Sequence, residues 1–285
     1  MVNAQPQSEQ SLAPNFWDAV LDFSRTITAT IGQQLVKDFG VIAADRKADG
    51  TLVTQADRWS DEQIRQAIAR RFPDHGVLTE ETEHIFPDRD WCWVVDPIDG
   101  TTNFTRGIPI WGISLGLLYR GTPVFGAVYF PQLHQLFHGY WLADSGLSGP
   151  TGAYCGDRLL QTSRDNPSQN HLFNLCARST DVMTQPFPCK IRLLGVASYN
   201  ILLVATGAAL GGVEATPKIW DIAAVWAILQ AAGGAFVSLV PGPVFPLTVG
   251  ENYGDKPFPS LVASRAELVP IFRPLVQFIG DRYAE

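Results

Sequence analysis

Asp96 and Asp99 stand three residues apart in the segment Trp93-Val94-Val95-Asp96-Pro97-Ile98-Asp99-Gly100-Thr101-Thr102-Asn103-Phe104. Two carboxylates, a rigid proline, a glycine and two hydroxyls are packed into one short stretch. Hard oxygen donors concentrated on a tight turn are what Mg²⁺ needs. A lone DxxDG can also be an ordinary solvated turn, because Asp and Gly are common turn residues. Three further acidic features accompany it. Asp57 closes Leu52-Val53-Thr54-Gln55-Ala56-Asp57, Glu80 and Glu81 follow Val77-Leu78-Thr79, and Asp221 follows Trp220. Each has a plain structural reading too: Asp57 and Asp221 suit the positive end of a helix, and Glu81 suits a surface.

The elements that must position these groups are legible as patterns. An apolar β-type run over 91–95 delivers Asp96 at its end, and Pro97 is expected to stop the strand continuing as a ladder. Gly100 lets the chain reverse closely around whatever the carboxylates hold. Phe16, Trp17, Val20, Leu21, Ile27, Ile31 and Leu35 recur at helical spacing until Gly40. A second helix follows Asp57, with Ile64, Ile68 and Phe72 on one face, and a short strand covers 77–78. Residues 108–119 and 123–129 read as a hairpin, and 135–141 as a third strand of a meander. The Gly-, Ser- and Pro-rich stretch 146–157 is expected to divide one domain, 1–285, into two halves. The first, about 14–145, reads as α+β with an antiparallel sheet. The second, about 158–285, reads as α/β, with strands over 172–177, 191–194, 213, 236–240 and 260–263 and helices over 199–210, 221–232 and 267–279.

Bulk properties narrow the function classes. Of 285 residues, 46% are hydrophobic and 17% charged, enough for a sizeable core. The formal net charge of −7 argues against a nucleic-acid surface. Cys92, Cys155, Cys176 and Cys189 form no CxxC pair and read as core residues of a reducing compartment. The start MVNAQPQSEQ lacks a signal-peptide pattern, and 223–240 reads as helix, turn and strand rather than a membrane span. A soluble, cytoplasmic protein without membrane contact is expected.

The order LVTxxD, EE, DPIDGTTNF, WDIAA resembles the inositol monophosphatase family, the Mg²⁺-dependent, lithium-sensitive sugar phosphatases, from about residue 16 to about 280. The resemblance implies a layered αβαβα sandwich with its site at the seam between the halves. It implies two or three Mg²⁺. Glu80, Asp96 and the carbonyl of Ile98 would hold the first, while Asp96, Asp99 and Asp221 would hold the second. Glu80 would assist a third. Thr101 and Asp57 would form a dyad orienting the attacking water. One ion would acidify that water and another would offset charge on the leaving oxygen. Amides of Gly100, Thr101 and Thr102 could cradle phosphate if a helix starts there.

On the substrate side, Gly195-Val196-Ala197-Ser198 resembles the family's loop that meets sugar hydroxyls through its backbone. Val196 stands where inositol-preferring members often carry threonine. Glu214 lies seven residues before Asp221, where the family places an inositol-binding glutamate. Asp99 and Asp221 would also meet hydroxyls beside the ester. Lys47 resembles a basic residue on a loop over the site. The expected reaction is hydrolysis of myo-inositol monophosphate. Histidinol phosphate, galactose 1-phosphate and fructose 1,6-bisphosphate are the alternatives, and a regulatory partner in transcription or RNA processing is the non-enzyme one. DGTTNF rather than DGTKEF argues against a nucleotide substrate. A homodimer is expected from the resemblance, with 104–111 and 154–160 as candidate contact segments. His134 and His138, four apart, fall in a turn and strand and are not read as a metal pair; Trp93 and Trp220 are read as packing residues.

Overall fold

The computed structural model describes residues 15–46, 52–143 and 145–283. Lys47 lies outside the described residues. Near the N-terminus, α1 (Phe16–Asp38) is followed by a two-stranded ribbon, β1 (Ala44–Arg46) and β2 (Leu52–Thr54), and by α2 (Gln55–Arg71). The buried stripe of α1 carries Ser24 and Thr28 among Trp17, Val20, Ile31 and Leu35. Both hydroxyls stay satisfied by donating to carbonyls four residues earlier, Val20 at 2.8 Å and Ser24 at 2.7 Å.

A seven-stranded sheet follows in sequence order: β3 (Gly76–Thr79), β4 (Trp91–Asp99), β5 (Gly112–Tyr119), β6 (Thr122–Phe130), β7 (Gln135–Tyr140), β8 (Gly152–Cys155) and β9 (Arg158–Leu159). Only β3 and β4 pair parallel; the rest is an antiparallel meander. The short helix α3 (Thr101–Thr105) leaves the end of β4. A second, five-stranded sheet is ordered β11 (Lys190–Leu193), β10 (Leu172–Leu175), β12 (Gly211–Glu214), β14 (Ser260–Ala263), β13 (Ala235–Ser238). Helix α4 (Ala197–Ala205) precedes β12, α5 (Ile219–Ala231) follows it, and α6 (Val269–Asp281) ends the described chain.

Three cores show the layering. Helices α1 and α2 cover one face of the first sheet with Trp17, Val20, Ile64 and Ile68 against Trp93, Val95 and Trp111. Helices α4 and α5 fill the space between the sheets, where Ile201, Ile222, Val225 and Ile228 meet Val94, Val128 and Val262. Helix α6 covers the outer face of the second sheet with Phe272, Val276 and Ile279 against Phe173 and Leu261. This is the expected αβαβα sandwich. Each fully buried side chain of this size contributes roughly 1.5–3 kcal/mol, so these sheets form a stiff platform for the loops at their ends.

Two details differ from the sequence reading. Strands β8 and β9 fall within and just beyond 146–157, so the first sheet runs through the stretch expected to separate the halves. And β4 does not end at Asp96: it runs on to Asp99 through a bulge.

Helix α5 sits unusually close to the first sheet. Gly116, Gly126 and Gly139 are cross-strand partners in β5, β6 and β7. A Cβ on Gly126 would lie 2.0 Å from the Ala224 carbonyl oxygen, and one on Gly139 would lie 3.0 Å from the Ile228 Cα. The glycines form a trough in which α5 lies. Among the described residues no helix is long and apolar enough to cross a membrane, and the apolar run 223–240 is α5, a turn and β13.

Candidate metal and phosphate site

The bulge in β4 builds the site. Asp96 pairs with Ser114 and Asp99 with Gly112, so Pro97 and Ile98 together face the single residue Ile113. Residues three apart in a regular strand point to opposite faces. The extra residue restores the parity and turns both carboxylates to one side. Pro97 is tolerated because a bulge is where a ladder N–H is dispensable. The Ile98 N–H donates to Asp96 Oδ1 at 3.0 Å, fixing the turn.

Gly100 then takes φ +92° as the residue before α3. A Cβ there would lie 2.6 Å from Val196 Cγ2, so Gly100 serves both a left-handed turn and a close approach. Asn103 ties this turn to the second half, donating to the carbonyls of Ile110 and Leu194, each at 2.9 Å. Asp221 lies in the first turn of α5, where its Oδ2 accepts the Lys218 N–H at 2.7 Å. Asp99 Oδ2 accepts the Ser198 N–H at 2.8 Å, from the start of α4.

Asp96 and Asp99 of β4 and Asp221 of α5 converge from two stretches of chain, with one carboxylate oxygen of each within 4.8 Å of the others. Burial, then the negative charges of Glu80, Asp99 and Asp221, hold the Asp96 carboxyl well above the usual carboxylate range. Burial, then Asp99 and Glu80, do the same to Asp221. Burial raises Asp99 as well, opposed by hydrogen bonds from Ser198 and Ala197. Buried like charges this close repel unless something positive joins them. An oxygen-only donor set under that strain fits a hard divalent cation of the Mg²⁺ kind.

A cavity of about 500 Å³ opens over the cluster. Glu80, Asp96, Ile98, Asp99, Gly100, Thr101, Thr102, Gly195 and Asp221 line it. The Thr101 hydroxyl lies 3.2 Å from Asp57 Oδ1 and 3.1 Å from the Ile98 carbonyl oxygen. Asp57 is fully buried at the start of α2, in a capping box with Thr54. Helix α3 does begin at Thr101. Three expected substrate residues do not line the cavity. Val196 and Glu214 are buried, and Ala197 opens α4. Glu214 Oε1 instead accepts from Asn200 Nδ2 at 2.6 Å, and burial pushes its carboxyl up to about 7.

The structure adds residues that the sequence motifs did not flag. His84, Arg178, Thr216 and Lys218 also line the cavity. Arg178 donates to the Thr216 hydroxyl at 2.6 Å, and Lys218 Nζ to the Gly254 carbonyl at 3.0 Å. Lys218, three residues before Asp221, could have been found as a helix-entry partner. Arg178 and His84 carry no local signal. His134 takes a left-handed turn with φ +52°, whereas His138, on β7 and stacked on Tyr154, is held neutral by burial, with its pKa lowered to about 4.

Fold and pocket together define a class: αβαβα proteins that gather carboxylates for divalent cations where a bulged strand meets a helix start. The model of the inositol monophosphatase family matches residues 17–267, and the chain belongs to that family of phosphoric monoester hydrolases. It is 32% identical to a fructose-1,6-bisphosphatase/inositol-1-monophosphatase of Aquifex aeolicus over 82% of this chain and 87% of that one. It is 35% identical to a histidinol-phosphatase of Mycobacterium tuberculosis, over 70% of this chain and 79% of that one. The solved structure of a Thermotoga maritima IMPase shares the fold, with a TM-score of 0.77 and 24% identity over 93% of this chain and 99% of that one.

Proposed function

We propose that the pocket hydrolyses myo-inositol monophosphate to inositol and phosphate. The observation that carries this reading is the convergence of Asp96, Asp99 and Asp221 beneath a cavity that also holds Thr101, hydrogen-bonded to buried Asp57. Glu80, Asp96, Asp99, Asp221 and the Ile98 carbonyl would hold two or three Mg²⁺. Bound there, the ions would supply the positive charge that acidifies a water and offsets charge growing on the ester oxygens.

The chain's own groups do the rest. Asp57 accepts a hydrogen bond from the Thr101 hydroxyl and so keeps its oxygen turned into the cavity, where that oxygen accepts a hydrogen bond from the attacking water and aims it. The Gly100, Thr101 and Thr102 amides lie at the start of α3 and receive the phosphate oxygens. Asp99 and Asp221 meet the hydroxyls beside the ester, and the Gly195 loop, with Val196, Ala197 and Glu214 behind it, closes the polyol side. A Li⁺-sensitive homodimer in the cytoplasm, with no nucleic-acid partner, completes the proposal; the net charge of −7 supports its last part.

Histidinol phosphate is the second reading. Val196 offers no hydroxyl to a polyol, and the 35% identical mycobacterial relative bears the histidinol-phosphatase name. The test is phosphate release from inositol 1-phosphate, histidinol phosphate, galactose 1-phosphate and fructose 1,6-bisphosphate, each with and without Mg²⁺. Mg²⁺-dependent release fastest from inositol 1-phosphate supports the proposal. Preference for another ester replaces the substrate, and no release from any of them favours a binding partner without catalysis.

A further inference from the structure

His84 sits on the loop between β3 and β4, four residues after Glu80, and lines the cavity. Its Nε2 lies 2.8 Å from the Glu80 carbonyl oxygen. A carbonyl only accepts, so Nε2 carries the proton and donates. The same ring lies on Trp220, with centroids 5.6 Å apart and planes 28° apart. Trp220 is the neighbour of Asp221 in the first turn of α5. One imidazole thus touches the backbone of one candidate ligand and the side chain beside another.

A second path closes the same circuit. The Tyr253 N–H donates to the His84 carbonyl at 2.9 Å, the Phe86 N–H donates to Glu251 at 2.9 Å, and Ile85 bridges Asn252. The segment 251–254 is therefore bound along the His84 loop. Gly254 faces the ring, and a Cβ there would lie 2.8 Å from His84 Nδ1. The Gly254 carbonyl accepts Lys218 Nζ at 3.0 Å, and the Lys218 N–H holds Asp221 Oδ2 at 2.7 Å.

We propose that His84 is a positioning residue: by bonding the Glu80 carbonyl and stacking on Trp220, it fixes the spacing of Glu80 and Asp221 and so sets the affinity of the site for Mg²⁺. The inference rests on the metal reading above. Outer partners of this kind typically tune metal affinity without touching the ion.

Titration calorimetry of Mg²⁺ into the metal-free full chain tests it, alongside thermal unfolding. His84→Phe keeps a flat ring and loses the donor, and is expected to weaken Mg²⁺ binding about tenfold. His84→Gln restores an N–H and is expected to recover part of that loss. Gly254→Ala leaves His84 chemically intact but crowds its ring, and is expected to weaken binding in the same direction. The Mg²⁺ concentration for half-maximal phosphate release rises in parallel. If wild type binds Mg²⁺ and the variants titrate like it, or change only in melting temperature, the role of His84 is overturned. If wild type binds no Mg²⁺, the metal reading fails and takes this inference with it.

Discussion

Asp57 accepts the Thr101 hydroxyl at 3.2 Å across 44 positions of sequence, while its other oxygen is held by the Thr54 N–H at 2.7 Å and the Thr54 hydroxyl at 2.6 Å. One carboxylate therefore closes a helix cap and aims a hydroxyl into the cavity. Asp57→Asn is expected to reduce kcat by about 10²–10⁴, the range for positioned proton-handling groups. It should also cost about 1 kcal/mol of stability through the weakened cap. Thr101→Ser should retain most of the activity that Thr101→Val loses. Steady-state kinetics with urea unfolding on the same variants checks both effects, and equal kcat for Thr101→Val and wild type would remove Thr101 from the chemistry.

Asp96 sits at the centre of the acidic cluster, pressed by Glu80, Asp99 and Asp221. Asp96→Asn is expected to lower Mg²⁺-dependent turnover by about a thousandfold, which corresponds to about 4 kcal/mol of lost charge stabilisation. In the metal-free protein the same change relieves repulsion, so the melting temperature at neutral pH should rise. A variant that turns over near-normally, or that melts lower without metal, contradicts the assignment.

Glu214 gives a pH dependence with a definite sign. Its carboxyl is raised from 4.5 to about 7 in the fold. The native state then holds a proton that the unfolded chain has released, so stability falls as pH rises through that window. A shift of this size corresponds to about 3 kcal/mol at most. Glu214→Gln in metal-free protein should match wild type below pH 4.5 and exceed it above about pH 7. Urea unfolding across pH 4–8 reads this out, and parallel curves for the two proteins would contradict it.

Gly100 carries both a left-handed φ of +92° and a space limit of 2.6 Å set by Val196. Gly100→Ala is expected to cost about 2 kcal/mol or more, from backbone strain and overpacking together. Adding Val196→Ala relieves the contact but not the strain, so the double variant should recover only part of the loss. Full recovery in urea unfolding would mean that the turn itself tolerates a side chain.

Much of this architecture is legible in the residues. Apolar spacing marks α1 and α2, and apolar runs about the turn Arg120-Gly121-Thr122 mark β5 and β6 as a hairpin that β7 continues. The order of acidic motifs marks the carboxylates that converge. The bulge was harder, because Pro97 reads locally as a stop. Only the pairing of Asp99 with Gly112 shows the strand resuming. Strands β8 and β9 are hidden by the Gly- and Pro-rich composition around them, since short strands near the end of a sheet need little intrinsic preference once a neighbour offers its backbone. His84 and Arg178 are invisible for another reason. Their roles come from contacts with Trp220, Gly254 and Thr216, and such distant pairings leave no local trace. Glu214 shows the converse: its spacing from Asp221 is legible, yet its carboxylate turns to Asn200 behind the cavity.

The glycine trough under α5 acts as a spacer gauge for catalysis. Helix α5 carries Asp221 at its first turn, so the depth at which it beds into β5, β6 and β7 sets how near that carboxylate comes to Asp96. A single methyl on Gly126 would act as a shim, lifting the helix and parting the two acids. An inactive Gly126→Ala enzyme would be diagnosed as a damaged metal centre, although Gly126 is not among the residues lining the cavity.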